Sequence, residues 1–565
     1  MLIHELLFAT ADRCGDRPAY WLRYGQETRP LTYSELADRV RTLAAGLQEL
    51  GVGAGDRVGL YAPNSPDWGQ IYLSILTAGG IVVPLDPQAK YLELRSIITR
   101  SQMKYLFCAG STYDDLTQLQ SMSAPYPDII AIDPPRDRSV PIDLSLDKLI
   151  DLGRGRELRP SAAQPTDMAI LIFTSGTSGD CKGVMLSHDN IVSDLQAVTA
   201  CLAIGPDDVF LSVLPLHHTF EATCGFLYPL SIGASIVYVS SLKSADVMAD
   251  IKQFKVTVMC GVPLLFEKMY GGIERALQKK SLPARLFVRF GQRFSDLTKS
   301  LLNQPAGSLI FAALRRKAGL DSIRMLVSGG AALDPEIARF FNNLGILLLQ
   351  GYGLTETSPV LSVNDKSDNN YASVGRPLPG VEVKIIDANE QGIGEIAVRG
   401  RMVMLGYFEN PGATAAVMND GFFMTGDLGY LDNAGHIHIT GRKKNVIITP
   451  AGKNIYPEEI EAVIDASPFI MECTILPRPK GTGQEPIAVV VPDYEFIASI
   501  NNGNRLNDAE IRELLREEVL RHCNQLAEYK RVKDVIVMTE ELPKTSTRKV
   551  RRHVLLETLQ KLGAI

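Results

Sequence analysis

The sequence predicts an α/β protein: a large N-terminal part with a small β subdomain, followed by a smaller α+β unit. Three observations carry that expectation. Short apolar runs alternate with helical stretches over residues 57–132 and again over 208–327, the rhythm of mostly parallel sheets. Between 382 and 440, short strand-like runs are joined by Gly, Asn and Asp turns, which reads as a β-rich subdomain. From Gly441 onward, helical and extended patterns mix.

In chain order, Leu2–Ala11 is amphipathic, and Leu31–Gly51 has apolar positions at helical spacing with a glycine C-cap. Arg57–Tyr61 and Gly80–Leu85 read as buried strands around a helix at Asp67–Ala78, and Tyr105–Ala109 and Ile129–Ile132 continue the alternation. The Pro- and charge-rich stretch Asp133–Pro165 is expected to separate this half from the strand Met168–Phe173. Helical pattern begins near Asp189. Val209–Leu214, Ala234–Val239, Val256–Cys260 and Met325–Val327 read as further strands, with helical spacing between the first two running to Leu230. The β-rich part comprises Glu382–Asp387, Gly394–Arg399, Phe422–Thr425, Gly429–Asp432 and His436–Thr440. Beyond it, helices are expected at Pro457–Ala466 and Asp508–Leu526, and strands at Ile470–Leu476, Ile487–Val491 and Val535–Met538.

Composition sets bounds. With 565 residues, 45% apolar and 22% charged, the chain is an ordinary globular one. A net charge of −6 gives no general attraction to nucleic acid. Eight scattered cysteines without C-x-x-C pairs argue against a disulfide framework or a zinc site. Residues 1–13 lack the basic and apolar segments of a secretory signal, no lipidation motif stands at either end, and no apolar run has the ~18 residues of a membrane span. A cytoplasmic location is therefore expected.

The most informative stretch is Thr174-Ser175-Gly176-Thr177-Ser178-Gly179-Asp180-Cys181-Lys182-Gly183, directly after the buried strand. Glycines admit a ligand close to the backbone, while hydroxyls, N–H groups and an ammonium favour a polyphosphate. It is not a Walker loop, because two residues separate Gly179 from Lys182 and no hydroxyl follows the lysine. A second stretch, Gln350-Gly351-Tyr352-Gly353-Leu354-Thr355-Glu356, offers a ring between two glycines, a hydroxyl, and a carboxylate suited to Mg²⁺. Alone, it could equally be a turn with a core tyrosine. No G-x-S-x-G elbow, H-E-x-x-H pair or dinucleotide fingerprint is present.

Ile172–His188, IFTSGTSGDCKGVMLSH, resembles the phosphate-loop signature of the adenylate-forming acyl-CoA synthetase superfamily, [YF]TSGTTGxPKGV, and the likeness runs over roughly residues 10–555 with its motifs in order. Ser178 keeps the hydroxyl of the usual threonine; Cys181 replaces a proline and removes a rigid turn residue. The resemblance implies a fold of two α/β subdomains plus a small β subdomain (1–441) and a mobile C-terminal domain (442–565). It implies ATP binding by Thr174, Ser175, Gly176, Thr177, Ser178, Gly179 and Lys182, with Gly330 and Ala331 of Ser328–Leu333 and Gln350, Gly351, Tyr352, Gly353 and Thr355 at the nucleotide, and Mg²⁺ near Thr174 and Glu356. Asp427, assisted by Arg442, would hold the ribose, and Lys444 would be the hinge. Lys549, in a segment similar to P-K-T-x-x-G-K-[IV] with Arg548 for the glycine, matches the catalytic lysine. His218 would support the acyl carboxylate, Phe220 would border the acyl channel, and the small Ala222 and Gly225 would leave room for an alkyl chain.

Leu214–Glu221 and Ser328–Asp334 are most similar to the long-chain fatty acyl-CoA ligases. The activity so implied joins a fatty acid to AMP at the expense of ATP, then passes the acyl group to coenzyme A. Two alternatives stay open: transfer to an acyl carrier protein, and a catalytically silent binding homologue, motivated by Cys181 and Arg548. One stretch stands outside these motifs. From Arg275 to Lys317 there are ten basic residues and one acid, and Phe287, Phe290, Phe294, Leu297 and Leu301 form a helical stripe beside Arg285, Arg289 and Arg293. Such a helix either packs on its own domain through the stripe or lies on an anionic membrane.

Overall fold

The computed structural model describes residues 1–24, 27–113, 116, 126–134, 144–174, 181–302, 306–451, 453–500, 506–544, 550–563 and 565. Its contacts form two compact units, Met1–Glu382 with Val398–Phe423, and Val383–Ala397 with Met424–Ile565.

The first unit holds two large sheets. One has the strand order Gly406–Tyr407, Lys182–Ser187, Met168–Thr174, Ile81–Pro84, Arg57–Tyr61, Tyr105–Cys108, Asp128–Ala131, Leu144–Ser145. The middle strands are parallel and mostly apolar along their length because helices cover both faces. Helix Pro66–Ala78 is buried on every side; the Ser65 hydroxyl accepts from the Trp68 N–H at its start, and Gly79 ends it in the left-handed region. Helix Tyr33–Glu49 begins with a reciprocal cap between Thr32 and Glu35.

The other sheet runs Arg376–Pro377, Val360–Val363, Leu347–Gly353, Met325–Ser328, Val258–Gly261, Val209–Ser212, Ser235–Tyr238, Pro18–Tyr24, Glu27–Thr32. Its core is built from Leu211, Val237, Met259, Leu326 and Leu348 with Phe266, Phe341 and Ile346.

Four features depart from the sequence reading. Pro18–Tyr24 and Glu27–Thr32 form an edge ribbon, where Pro30 is tolerated. Asp133–Pro165 is not merely a separator: Leu146–Gly153 is a helix capped by Ser145 that packs on Tyr33–Glu49. Phe422–Leu431 is one strand rather than two. The helical stretch after Phe220 opens as a π-turn at Glu221–Leu227, a rare geometry found often at functional sites.

In the second unit, Ile470–Lys480 and Gly483–Pro492 form a long hairpin, joined in parallel by Val535–Val537. Pro457–Ile464 and Asp508–Cys523 bury Ile460, Ile464, Leu515 and Val519 against it with Ile475 and Val490. The last helix, Arg552–Lys561, packs Leu555 and Leu559 on Leu476, Ile487 and Val489. Arg552 is tied to Glu461 at 2.5 Å and Glu458 at 3.2 Å. Among the described residues, no helix is long and apolar enough to cross a membrane.

Candidate active site

Met168–Thr174 and Lys182–Ser187 are antiparallel neighbours with Thr174 opposite Lys182. The Thr174 hydroxyl donates to the Lys182 carbonyl at 3.4 Å. Ser175, Gly176, Thr177, Ser178 and Gly179 lie outside the described residues. At the foot of the loop, Arg100 donates to the Cys181 carbonyl, and its guanidinium lies 5.6 Å from the Phe173 ring centre. The clamp anchors the backbone where the resembling pattern has a proline.

Lys182 reaches out of its strand over Tyr407, its Nζ 4.7 Å from the ring centre. The Tyr407 hydroxyl donates to Glu356 Oε1 at 2.9 Å. A cation, an aromatic ring and a carboxylate drawn from three separate segments thus stand in one row. Backbone pairing builds it: Tyr407 is opposite Val184, Phe408 N–H donates to Gly183 O at 2.7 Å, and Met404 N–H donates to Glu356 O at 2.9 Å. Burial first, and the Glu356 charge second, push the Tyr407 phenol well above its ordinary range, so it stays a donor. Among the described residues, Glu356 makes no side-chain bond through its other oxygen. Oxygen donors at Thr174 and Glu356 suit a hard cation such as Mg²⁺.

Glu356 sits in the turn Thr355–Thr357, held by Thr357, whose hydroxyl donates to Pro359 O at 2.9 Å. The glycines beside Tyr352 have a structural reason. A Cβ on Gly353 would lie 1.7 Å from Pro359 O, so the strand pair closes only with glycine there. Tyr352 itself is buried, and among the described residues Gln350 keeps a buried Oε1 without a hydrogen-bond partner. Gly330 and Ala331 are exposed on the loop before Pro335–Asn343, and the preceding Gly329 packs against the Phe220 ring. The structure therefore brings the Ser328–Leu333 loop and Phe220 together.

His217 and His218 have ring centres 4.2 Å apart. His217 is buried, with Nε2 3.6 Å from Asp86 Oδ2, and burial lowers its pKa, so it is neutral; His218 is half-buried. Asn64 fixes their segment from both sides, donating to Leu214 O at 2.6 Å and accepting from Leu216 N–H at 2.9 Å. Ala222 and Gly225 are buried in the π-turn. A Cβ on Gly225 would meet the Glu221 carboxyl at 2.5 Å, so that carboxyl packs directly against the glycine. Among the described residues neither Glu221 oxygen has a hydrogen-bond partner, and burial pushes its pKa up to about 8, opposed in part by the nearby Ser212 hydroxyl.

Within the second unit, Asp427 and Arg442 are strand partners joined at 2.6 Å, the carboxylate buried and the guanidinium half-exposed. Lys443 pairs with Glu395 at 2.7 Å, and Lys444 is exposed in the turn Lys443–Asn445. Arg548 and Lys549 lie outside the described residues.

Sequence reasoning missed Tyr407, Asp86, Asn64, Arg100 and Glu221. The only signal for Glu221 was an acid inside an otherwise apolar run.

Residues 7–408 match the family described as AMP-binding enzyme, and 459–549 match the AMP-binding enzyme C-terminal domain. The chain belongs to the AMP-binding enzyme family. It is 31% identical over 472 residues to the long-chain-fatty-acid–CoA ligase FadD15 of Mycobacterium bovis, covering 79% of this chain and 75% of that one. It is 30% identical to the peroxisomal long chain acyl-CoA synthetase 7 of Arabidopsis thaliana (87% and 75%). At 26%, it is also similar to the chloroplastic long-chain-fatty-acid–[acyl-carrier-protein] ligase AEE15 of the same plant (87% and 76%). The fold matches ATP-bound MatB from Rhodopseudomonas palustris with a TM-score of 0.76 at 28% identity over the full length of both chains. The expected α/β architecture and the adenylate-forming superfamily, close to the long-chain acyl-CoA ligases, are both upheld. The acid–thiol ligase class agrees with the names its relatives carry.

Proposed function

We propose that this protein activates a long-chain fatty acid with ATP and transfers the acyl group to coenzyme A, releasing AMP and pyrophosphate. The observation that carries the reading is the row Lys182–Tyr407–Glu356 beside the hydroxyl-rich hairpin, in a chain of this family. A carboxylate is a poor electrophile; its attack on the α-phosphorus of ATP replaces an oxide leaving group with AMP. The protein must then neutralise charge at an in-line displacement.

Lys182 and the loop hydroxyls hold the outer phosphates, and the Tyr407 ring keeps the ammonium aimed by covering one side of it. The Tyr407 hydroxyl orients the Glu356 carboxylate. Thr174 and Glu356 would hold Mg²⁺, which supplies charge neutralisation on the polyphosphate when bound. Neutral His217 props the His218 ring beside Phe220, so His218 can donate to the acyl carboxylate. Asp427 accepts from the ribose while Arg442 fixes its orientation. Lys549 bridges the carboxylate and the α-phosphate, and rotation about Lys444 (the boundary expected at 441/442) withdraws it for thiol attack.

A panel of carboxylic acids scored by ATP–pyrophosphate exchange tests the activation step, with coenzyme A and a carrier protein offered side by side as acceptors. Exchange that peaks at long chains together with acyl-CoA release is the expected result. Release only on a carrier protein favours the second reading, which the name of the AEE15 relative motivates. Pyrophosphate release excludes a silent homologue.

A further inference from the structure

The helix Leu282–Leu302 is turned the opposite way from an ordinary amphipathic helix. Its small and buried side, Val288, Gly291 and Ser295, faces the protein, where Gly291 lets Phe311 and Ile310 close in, while Asp296 accepts from Asn343 at 2.8 Å. The aromatic stripe points outward: Phe287 is 59% exposed, Phe290 65%, Phe294 54% and Leu297 53%. Leu286, Phe290, Phe294 and Leu297 follow at spacings of four, four and three, so they form one continuous strip along the helix. Packing on its own domain through that stripe, one of the two readings open from the sequence, is therefore not what the structure shows. Leu301's side chain lies outside the described residues.

Arg285, Arg289 and Arg293 recur every fourth residue along one edge of the strip. Among the described residues, none of the three makes an ion pair. Lys279 and Lys280 are exposed just before the helix, and Arg316, Lys317 and the exposed Leu309 follow it. The stretch 275–317 carries ten bases against one acid in a chain whose net charge is −6, so the positive charge is local to this face.

We propose that this face docks on an anionic lipid bilayer, with Phe290, Phe294 and Leu297 entering the headgroup boundary and the arginine row pairing with lipid phosphates. Aromatic and leucine side chains gain by leaving water there, and arginine stems lie along the apolar layer while their guanidinium groups stay at the phosphates. A second copy of the chain fits the strip less well. Two such faces meeting symmetrically would set one arginine row against the other. The docking needs neither ATP nor turnover, so it stands or falls separately from the reaction proposed above.

The test is co-sedimentation of the full chain, without nucleotide, with vesicles of phosphatidylcholine alone or mixed with phosphatidylglycerol, at low and high salt. Binding should require phosphatidylglycerol and weaken with salt. Arg285→Gln, Arg289→Gln and Arg293→Gln should each weaken it about fivefold. Phe290→Ser with Phe294→Ser should bring it near background with the melting temperature unchanged. Phe290→Trp should shift its emission to the blue on mixed vesicles. Equal binding to neutral vesicles, indifference to the arginine substitutions, or unshifted tryptophan emission would overturn the proposal. So would a dimer that Phe290→Ser dissolves in a chain that binds no vesicle.

Discussion

Replacing Glu221 by glutamine is expected to remove a pH-dependent penalty on folding. Glu221 is fully buried, its oxygens lack hydrogen-bond partners among the described residues, and burial raises its pKa from 4.5 to about 8. In that window the folded protein keeps a proton that the unfolded chain has lost, so the group's contribution to stability falls as pH rises from about 4.5 to 8. At about 1.4 kcal/mol per pH unit, the loss across the window is on the order of 5 kcal/mol as an upper bound. Buried histidines act in the opposite sense at lower pH. Burial lowers His4 and His188 from 6.5 to about 4, and His188 Nδ1 accepts from Ile3 N–H at 3.2 Å, a bond that its protonation would break. His217 is lowered as well. Their contribution rises with pH up to about 6.5, so wild-type stability should peak near that value and decline beyond it. Thermal melts across pH 5 to 9 measure this directly. Glu221→Gln should keep the acid limb and make the decline shallower, the remainder belonging to the buried Asp194, whose carboxyl pKa burial also raises. Wild type and variant running parallel from neutral to alkaline pH would refute a buried, protonated Glu221.

The other expectations concern the site and its frame. Tyr407→Phe keeps the ring under Lys182 but removes the bond to Glu356; a charged hydrogen bond of about 1.5–3 kcal/mol lost from the ATP complex should raise the KM for magnesium-ATP on the order of tenfold in the exchange assay, with acyl transfer from supplied acyl-adenylate unchanged. Lys549→Ala should abolish adenylate formation and spare thiol transfer; equal loss of both would contradict a lysine used in one half-reaction. Asp427→Asn should weaken ATP without altering acid preference, read as KM values for each substrate. Gly353→Ala would force a Cβ to 1.7 Å from Pro359 O, and loss of soluble folded protein, or of about 3 kcal/mol or more in denaturation, should follow.

How much of this was legible in the sequence follows from what local pattern can encode. Val258–Gly261 and Met325–Ser328 are short apolar runs with turns around them, and they are the strands the pattern predicts. Lys182–Ser187 was hidden because its lysine and glycine belong to the loop motif, and only pairing with Met168–Thr174 makes it a strand. Tyr407 could not be found from spacing: Glu356 lies 51 residues away, and a Gly-Tyr pair carries no period. The approach of Glu221 to Gly225 was hidden as well, because it depends on the π-helical geometry of Glu221–Leu227 and not on spacing alone. The stripe of Leu282–Leu302 left two readings open for a related reason, since period locates an apolar face without saying whether protein covers it.

The central claim is that one pocket makes a carboxyl group reactive by joining it to AMP. Exchange of labelled pyrophosphate into ATP, measured with and without a long-chain fatty acid and with no thiol present, tests it most directly. The account predicts exchange that depends on the acid and disappears in Lys182→Ala. Absence of exchange with every acid offered, or exchange indifferent to the acid, would contradict it.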